Sequence, residues 1–260
     1  MNAGDWAGRD LGSRTVSYTH RDAILYALAV GARADELDLV FEERLRVLPS
    51  FGLTLAQWAP DVLAEAGAFD NMAVHGSQTL HVHGALPREG ELTLSARVGD
   101  VWDKGSAAVF DVIVECEQFT ATWSLFAPGV GGFGGERGPG RPAPQERTEP
   151  HLATVHTFAE QAVLYRLTGD RHHIHVDPEA SARIGQPRPI LHGLCTLAAA
   201  TLTIARDSGA HPADLTELAG RFSGPVIPGD ALTLRSWSDG AFDLSRGDEV
   251  VISDGKAVFA

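Results

Sequence analysis

Sulfur is scarce in this chain of 260 residues: it has two methionines and two cysteines, Cys116 and Cys195, which lie far apart. With no CxxC and no Cys/His finger spacing, neither a disulfide framework nor a structural zinc site is suggested. Lysine is almost missing as well, occurring only at Lys104 and Lys256, and 21 basic side chains stand against 34 acidic ones for a net charge of −13. That balance argues against a broad footprint for nucleic acid or an anionic membrane. No apolar run reaches the roughly 18 residues of a bilayer span, and the opening MNAGDWAGRDLGSR has no apolar segment of the export type. The expectation is a cytoplasmic protein with neither nucleic acid nor membrane among its partners.

What remains is an ordinary globular composition, 44% hydrophobic and 21% charged, with length for one large domain or two small ones. From Thr19 the segment THRDAILYALAVGA predicts an amphipathic helix, with Ile24, Leu25, Leu28 and Ala32 on one face and Asp22 in its first turn. The period then changes to two. Leu92, Leu94, Ala96 and Val98 alternate, as do Phe110, Val112, Val114 and Cys116, then Phe119, Ala121, Trp123 and Leu125, which reads as antiparallel strands with one buried face. From Pro128 to Pro150 seven glycines and five prolines leave too little apolar periodicity for a core, so residues 128–150 read as a linker between units 1–127 and 151–260. After it come a short strand at 154–158, a helix around 161–167, a longer helix at 193–206 and strands from Leu232.

The two halves share a faint repeat. The run Ala23 to Leu28 matches Ala162 to Leu167 at an offset of 139, and Leu92-Thr93-Leu94 matches Leu232-Thr233-Leu234 at 140. Duplication implies two similar α+β units, each a sheet wrapped around a helix.

The densest polar cluster runs from Tyr165 to Pro178 and contains His172, His173, His175, Asp170 and Asp177. It follows a helix pattern ended by Gly169, so Asp170 and His175 fall on a connecting loop where they can converge on one water. An imidazole that titrates near neutrality beside a carboxylate suits hydration or dehydration of a carbon–carbon double bond. The same residues read equally as a solvated polar loop, and His172, His173, His175 and Asp177 are all competent metal ligands, though at no recognised metal spacing. Downstream, Gly193 opens an apolar helix, where an uncovered backbone N–H and the helix dipole would stabilise a thioester oxygen gaining charge. A plain capped core helix fits that segment too.

The stretch GDRHHIHVDPEASARIGQPRPILHGLCT resembles the hydratase 2 motif of the MaoC-like, (R)-specific 2-enoyl-CoA hydratases, whose usual form is GDxNPxHxDP followed by a PILHGLCT-like segment. The segments ILYALAVGA, RVLPSF, MAVHGSQTLHVHGALP, DVWDKGSAA, GGFGGERGP and RFSGPVIPGDALTLRSW extend the resemblance from about Ser17 to Ala260. It implies an α+β double hotdog fold, with two duplicated units each wrapping an antiparallel sheet around a long helix, the first unit having lost its catalytic loop.

The resemblance also implies that Asp170 and His175 activate water for addition across a trans-2-enoyl-CoA, with Gly193 N–H on the thioester oxygen. The product would be a (3R)-3-hydroxyacyl-CoA, made in fatty-acid or sterol side-chain degradation by a homodimer. His172, in the place of the family Asn, joins the catalytic set, and ligand contacts carry over to His75, Gly76, Lys104, Arg171, His173, Ile174 and Phe222. No cofactor and no metal are implied, because the CoA thioester is itself the substrate. His172-His173 stands where the family usually has Asn-Pro, which leaves two alternatives beside the hydratase: an acyl-CoA-binding protein with weak or no turnover, and a metal-dependent lyase using His172, His173 and His175. Small residues after Ser50 (Gly52, Ala56, Ala59, Ala64, Ala66, Gly67 and Ala68) are candidates for lining an acyl tunnel.

Overall fold

Side chains that alternate in and out of a core build one antiparallel sheet, seen in a computed structural model that describes residues 1–70, 73–140, 147 and 149–260. Strands β1 (Asp10–Tyr18), β2 (Val74–Val82), β3 (Gly90–Asp103), β4 (Ala107–Glu115) and β5 (Phe119–Pro128) precede the Gly/Pro-rich stretch. Strands β6 (His151–His156), β7 (Leu215–Phe222), β8 (Ala231–Ser236), β9 (Ala241–Arg246) and β10 (Glu249–Phe259) follow it. The α-helices are α1 (His20–Ala29), α2 (Leu37–Val40), α3 (Phe51–Leu55), α4 (Trp58–Glu65), α5 (Gln161–Tyr165), α6 (Pro178–Arg183) and α7 (Gly193–Ser208).

The ten strands run in the order β1-β3-β4-β5-β2-β7-β10-β9-β8-β6. Read outward from the centre, one side goes 2-5-4-3-1 and the other 7-10-9-8-6, the same order with each number raised by five. At the junction Thr79 lies opposite Ala219, its own counterpart 140 positions along, so a pseudo-twofold axis passes through that pair. The fold is the double hotdog: an α+β arrangement in which each half-sheet curves over helices. Tyr26 of α1 and Tyr165 of α5, counterparts at 139, meet across the axis with ring centroids 6.0 Å apart.

The alternating residues of β3, β4 and β5 are buried as the period requires, from Leu92 and Val98 through Phe110 and Val114 to Phe119 and Trp123. Cys116 is the exception: it lies past the end of β4 and is half-buried. Helix α7 is buried nearly all round, and its alanines and threonines let the sheet come close. At Gly220 an added Cβ would sit 2.8 Å from Leu197 Cδ1, so a side chain there would force the Leu197 side chain to move. Gly209 ends α7 in the left-handed conformation at φ 75°.

A long helix fills the second half only. Its counterpart in the first half is broken at Ala56–Gln57 into α3 and α4. Pro60 gives the reason: it has no N–H to offer the Ala56 carbonyl, so an uninterrupted helix cannot pass through. Ala200 stands at the equivalent place in α7, which runs on. Gly52, Ala56 and Ala59 are buried in this region, Gly52 so tightly that a Cβ would lie 2.6 Å from the Phe119 ring, whereas Ala64, Ala66 and Gly67 face solvent. Ala68 is buried as well, so the exposed Ala64, Ala66 and Gly67 are the ones that cannot line an acyl tunnel.

Thr19 caps α1 through a reciprocal pair with Asp22, in which each side chain accepts the other's backbone N–H. The buried face differs from the expected one. Ala23, Tyr26, Ala27 and Ala29 pack inward, while Ile24 and Leu25 are half-buried and Leu28 is 39% exposed. Contact with α5 selects the alanine and tyrosine face, because small residues let the two helices approach.

The described part of the Gly/Pro-rich stretch is anchored. Asp103 at the end of β3 accepts the backbone N–H groups of Gly105, Gly132 and Gly134, each at 2.8 Å, and these bonds hold its carboxyl below the usual range. At Gly131 a Cβ would collide with the Ala107 carbonyl. Residues 141–146 and 148 of the stretch lie outside the described residues. No described helix is long and apolar enough to cross a membrane.

Candidate active site

After α5 the chain makes a short 3-10 turn, Arg166–Thr168, and Thr168 closes it by donating its hydroxyl to the Tyr165 carbonyl. Asp170 follows. Its Oδ1 accepts the His172 N–H at 3.0 Å, a local turn that aims the other carboxylate oxygen away from the backbone. His172 then caps the single turn His173–His175: its Nδ1 accepts the Ile174 N–H at 3.4 Å. An Asn oxygen can accept in the same way, so the imidazole keeps the capping function at this place in the motif. Asp177 caps α6 through the Glu179 N–H, with Pro178 at the first helical position.

His175 points inward and is 8% exposed. Its Nδ1 lies 2.8 Å from the Ile190 carbonyl. A carbonyl only accepts, so Nδ1 carries the proton and Nε2 presents a lone pair. That Nε2 is 4.0 Å from Asp170 Oδ2, too far for a direct hydrogen bond and close enough for one water to touch both at about 2.8 Å. Burial keeps the His175 imidazole below its ordinary range; the Ile190 bond and the Asp170 charge pull the other way.

His192, the residue before α7, stacks on His175 with ring centroids 3.6 Å apart and an interplanar angle of 22°. Its Nε2 is 3.2 Å from the Asp170 carbonyl, and the ring of Tyr165 lies 4.7 Å away. Burial first, and then the neighbouring His175, hold His192 low as well. A third imidazole, half-buried but with its Nε2 enclosed, comes from β2. The β2–β5 register slips between His75 and Ser77, and this bulge at Gly76 puts His75 and Gln78 opposite Leu125 and Trp123, both inward-facing. Burial pushes His75 down to about 4, although its Ser77 and Gln78 bonds and the Asp170 charge raise it.

Phe222, at the end of β7, connects these parts. Its ring meets His75 edge-on at 4.7 Å, and an added Cβ at Gly193 would fall 2.9 Å from it. Gly193 is therefore the residue that lets Phe222 lie against the start of α7. At that first position its N–H has no intrahelical partner, and the dipole of a 16-residue helix adds partial positive charge.

The structure thus brings Asp170, His175, Gly193, His75 and Phe222 into one neighbourhood, with Gly76 shaping it from β2. Ile174 contributes through its backbone, its carbonyl accepting the Ile190 N–H. Arg171, His172 and His173 have exposed side chains on the loop. Lys104 sits at the β3–β4 turn, where its ammonium donates to the Arg137 carbonyl of the Gly-rich stretch. No hydrogen bond or ion pair joins Lys104, Arg171 or His173 to Asp170 and His175 among the described residues.

The set His172, His173 and His175 does not converge on a metal position: His172 Nδ1 is used by the turn and His173 faces solvent. Among the described residues, Asp170, His175 and His192 do place ligand-type atoms within 4.8 Å of one another. Their geometry is one of packing. Imidazole lone pairs lie in the ring plane, and two nearly parallel rings 3.6 Å apart do not aim them at one point. His192 and the Ile190 carbonyl are the parts that reading by residue type missed. The first was visible as the histidine directly before Gly193; the second is backbone and leaves no side-chain signal.

Two family models match in succession: the MFE-2 hydratase 2 N-terminal domain over residues 16–127 and the MaoC like domain over residues 140–258. Among curated proteins, the enoyl-CoA hydratase ChsH3 of Mycobacterium tuberculosis is 37% identical over 249 residues, covering 86% of this chain and 85% of the relative. The 3-hydroxyacyl-thioester dehydratase Y of the same organism is 35% identical over 257 residues, covering 92% and 88%. A solved MaoC-like dehydratase from Phytophthora capsici superposes with a TM-score of 0.87 at 24% identity, over 100% of this chain and 98% of that one, which concerns the fold alone.

Proposed function

The chain belongs to the MaoC-like hydratase 2 family of hydro-lyases, and from that premise we propose that it adds water to trans-2-enoyl-CoA thioesters to give (3R)-3-hydroxyacyl-CoA in the breakdown of fatty acids or sterol side chains. The observation that carries this reading is the 4.0 Å gap between Asp170 Oδ2 and His175 Nε2, beside the exposed start of α7.

A water in that gap gives its oxygen to C3 while the pair takes its proton, and the pair returns a proton to C2 on the same face. Every atom of the water ends in the product and both side chains finish as they began. Electron density displaced from the double bond moves onto the thioester oxygen, where the Gly193 N–H and the helix dipole receive it. The Ile190 carbonyl holds His175 in the tautomer whose Nε2 faces the water. His75, near enough to feel the Asp170 charge, and Phe222 packed on it are the candidate substrate contacts beside the pair. Lys104 is the candidate cation for the CoA phosphates. The proposal includes a cytoplasmic homodimer; two free thiols suit a reducing compartment, and light scattering reads the assembly directly as twice the chain mass.

The test is a panel of trans-2-enoyl-CoAs from four carbons to ring-bearing side chains, followed by loss of the conjugated enoyl absorbance and chiral analysis of the product. The expected result is turnover to the (3R) alcohol for at least one chain length. Saturable binding across the whole panel without turnover would make the protein an acyl-CoA binder instead.

A further inference from the structure

One buried side chain at this site has no part in the hydration chemistry described above. His192 is 2% exposed. Its Nε2 faces the Asp170 carbonyl, so Nε2 carries the proton, and Nδ1 is left as a buried acceptor with no partner. Proteins seldom keep such an orphan where an apolar ring of the same size would fill the space without one. The ring touches both members of the pair, each through a different contact: a hydrogen bond to the main chain of Asp170 and a stack on the imidazole of His175. Tyr165 backs it from α5, and it supplies no bond to cap α7.

We propose that His192 is a positioning residue for the hydration: its Nε2–H holds the Asp170 backbone and its face holds the His175 ring, so carboxylate and imidazole keep the spacing that one water requires. Packing alone would ask only for a flat ring, whereas this role asks for the donor. The inference rests on the hydratase reading, and its test separates the two.

His192→Phe keeps a flat ring and removes the donor; His192→Gln keeps a donor and removes the ring. Measured on the enoyl-CoA that wild type turns over best, His192→Phe is expected to lower kcat at least tenfold with KM within twofold, and His192→Gln to recover at least a third of wild-type kcat. The proposal is overturned if His192→Phe stays within twofold of wild-type kcat, if its loss appears in KM alone, or if His192→Gln does no better. A second readout needs no turnover. The His175 ring protons, shielded by the stacked imidazole, should move downfield in the NMR spectrum of His192→Gln. Unchanged resonances would remove the stack, and with it the proposal, even if wild type hydrated nothing and His192→Phe failed to fold.

Discussion

Burying an imidazole settles its charge before any substrate arrives. His75 is the clearest case: burial takes its pKa to about 4, against an ordinary value near 6.5. On unfolding at pH 5 the exposed ring takes up a proton that the folded one excludes. Its contribution is therefore fully present above about pH 6.5 and is lost as pH falls toward 4. By linkage the loss at pH 5 comes to about 2 kcal/mol for this one residue. His175 and His192, also held low, act in the same direction. Urea unfolding should show a marked fall in stability between pH 7.5 and pH 5, smaller in His75→Gln; equal pH dependence in that variant and wild type would contradict the neutral buried state. The sequence marks His75 and His175 as site residues through the motif, but the charge state of all three imidazoles is not written there. Their neutrality arises from the β2 bulge and from the stack, which are tertiary facts.

Two elements decide whether the site can work: the turn carrying His175 and the helix starting at Gly193. The turn depends on one side-chain acceptor, His172 Nδ1 on the Ile174 N–H. His172→Asn supplies an oxygen for the same bond, so hydration at pH 7.5 should stay within about threefold of wild type, since exchanging one good cap for another costs little. A loss beyond tenfold would mean that the imidazole does something an amide cannot. Helix α7 was legible in the sequence, because a stretch rich in Leu, Ala and Thr and closed by Gly209 reads as a helix. The face of α1 was less so. Ile24, Leu25 and Leu28 are the larger apolar side chains, yet packing against α5 favoured the smaller Ala23 and Ala27 beside Tyr26. The break between α3 and α4 follows from Pro60, whose missing N–H only matters once Ala56 is seen four residues before it.

At the scale of the whole molecule, duplication explains most of the architecture: the mirrored strand order, the junction at Thr79 and Ala219, and the meeting of Tyr26 with Tyr165. Short matches at offsets of 139 and 140 were enough to expect it, because an antiparallel pair of like strands is the simplest way to join two like units. The site was half legible. Asp170, His175 and Gly193 lie within one stretch of chain, and their chemistry can be read there. Their partnership with His75 and Phe222 is created by the β2–β7 junction, which no local pattern encodes. Lys104, which the resemblance offers as a ligand contact, follows β3 directly and donates to the Arg137 carbonyl, a contact that only the folded Gly-rich stretch creates. The central claim is that Asp170 and His175 act together on one water. Its most direct test is a double-mutant cycle on kcat for enoyl-CoA hydration, using Asp170→Asn, His175→Gln and the double variant, with folding checked by circular dichroism. Each single change should lower kcat by about a hundredfold or more, and the double variant should fall little below the worse of the two, because a water deprived of one partner is no longer activated by the other. A folded single variant with near wild-type kcat, or two losses that simply multiply, would contradict it.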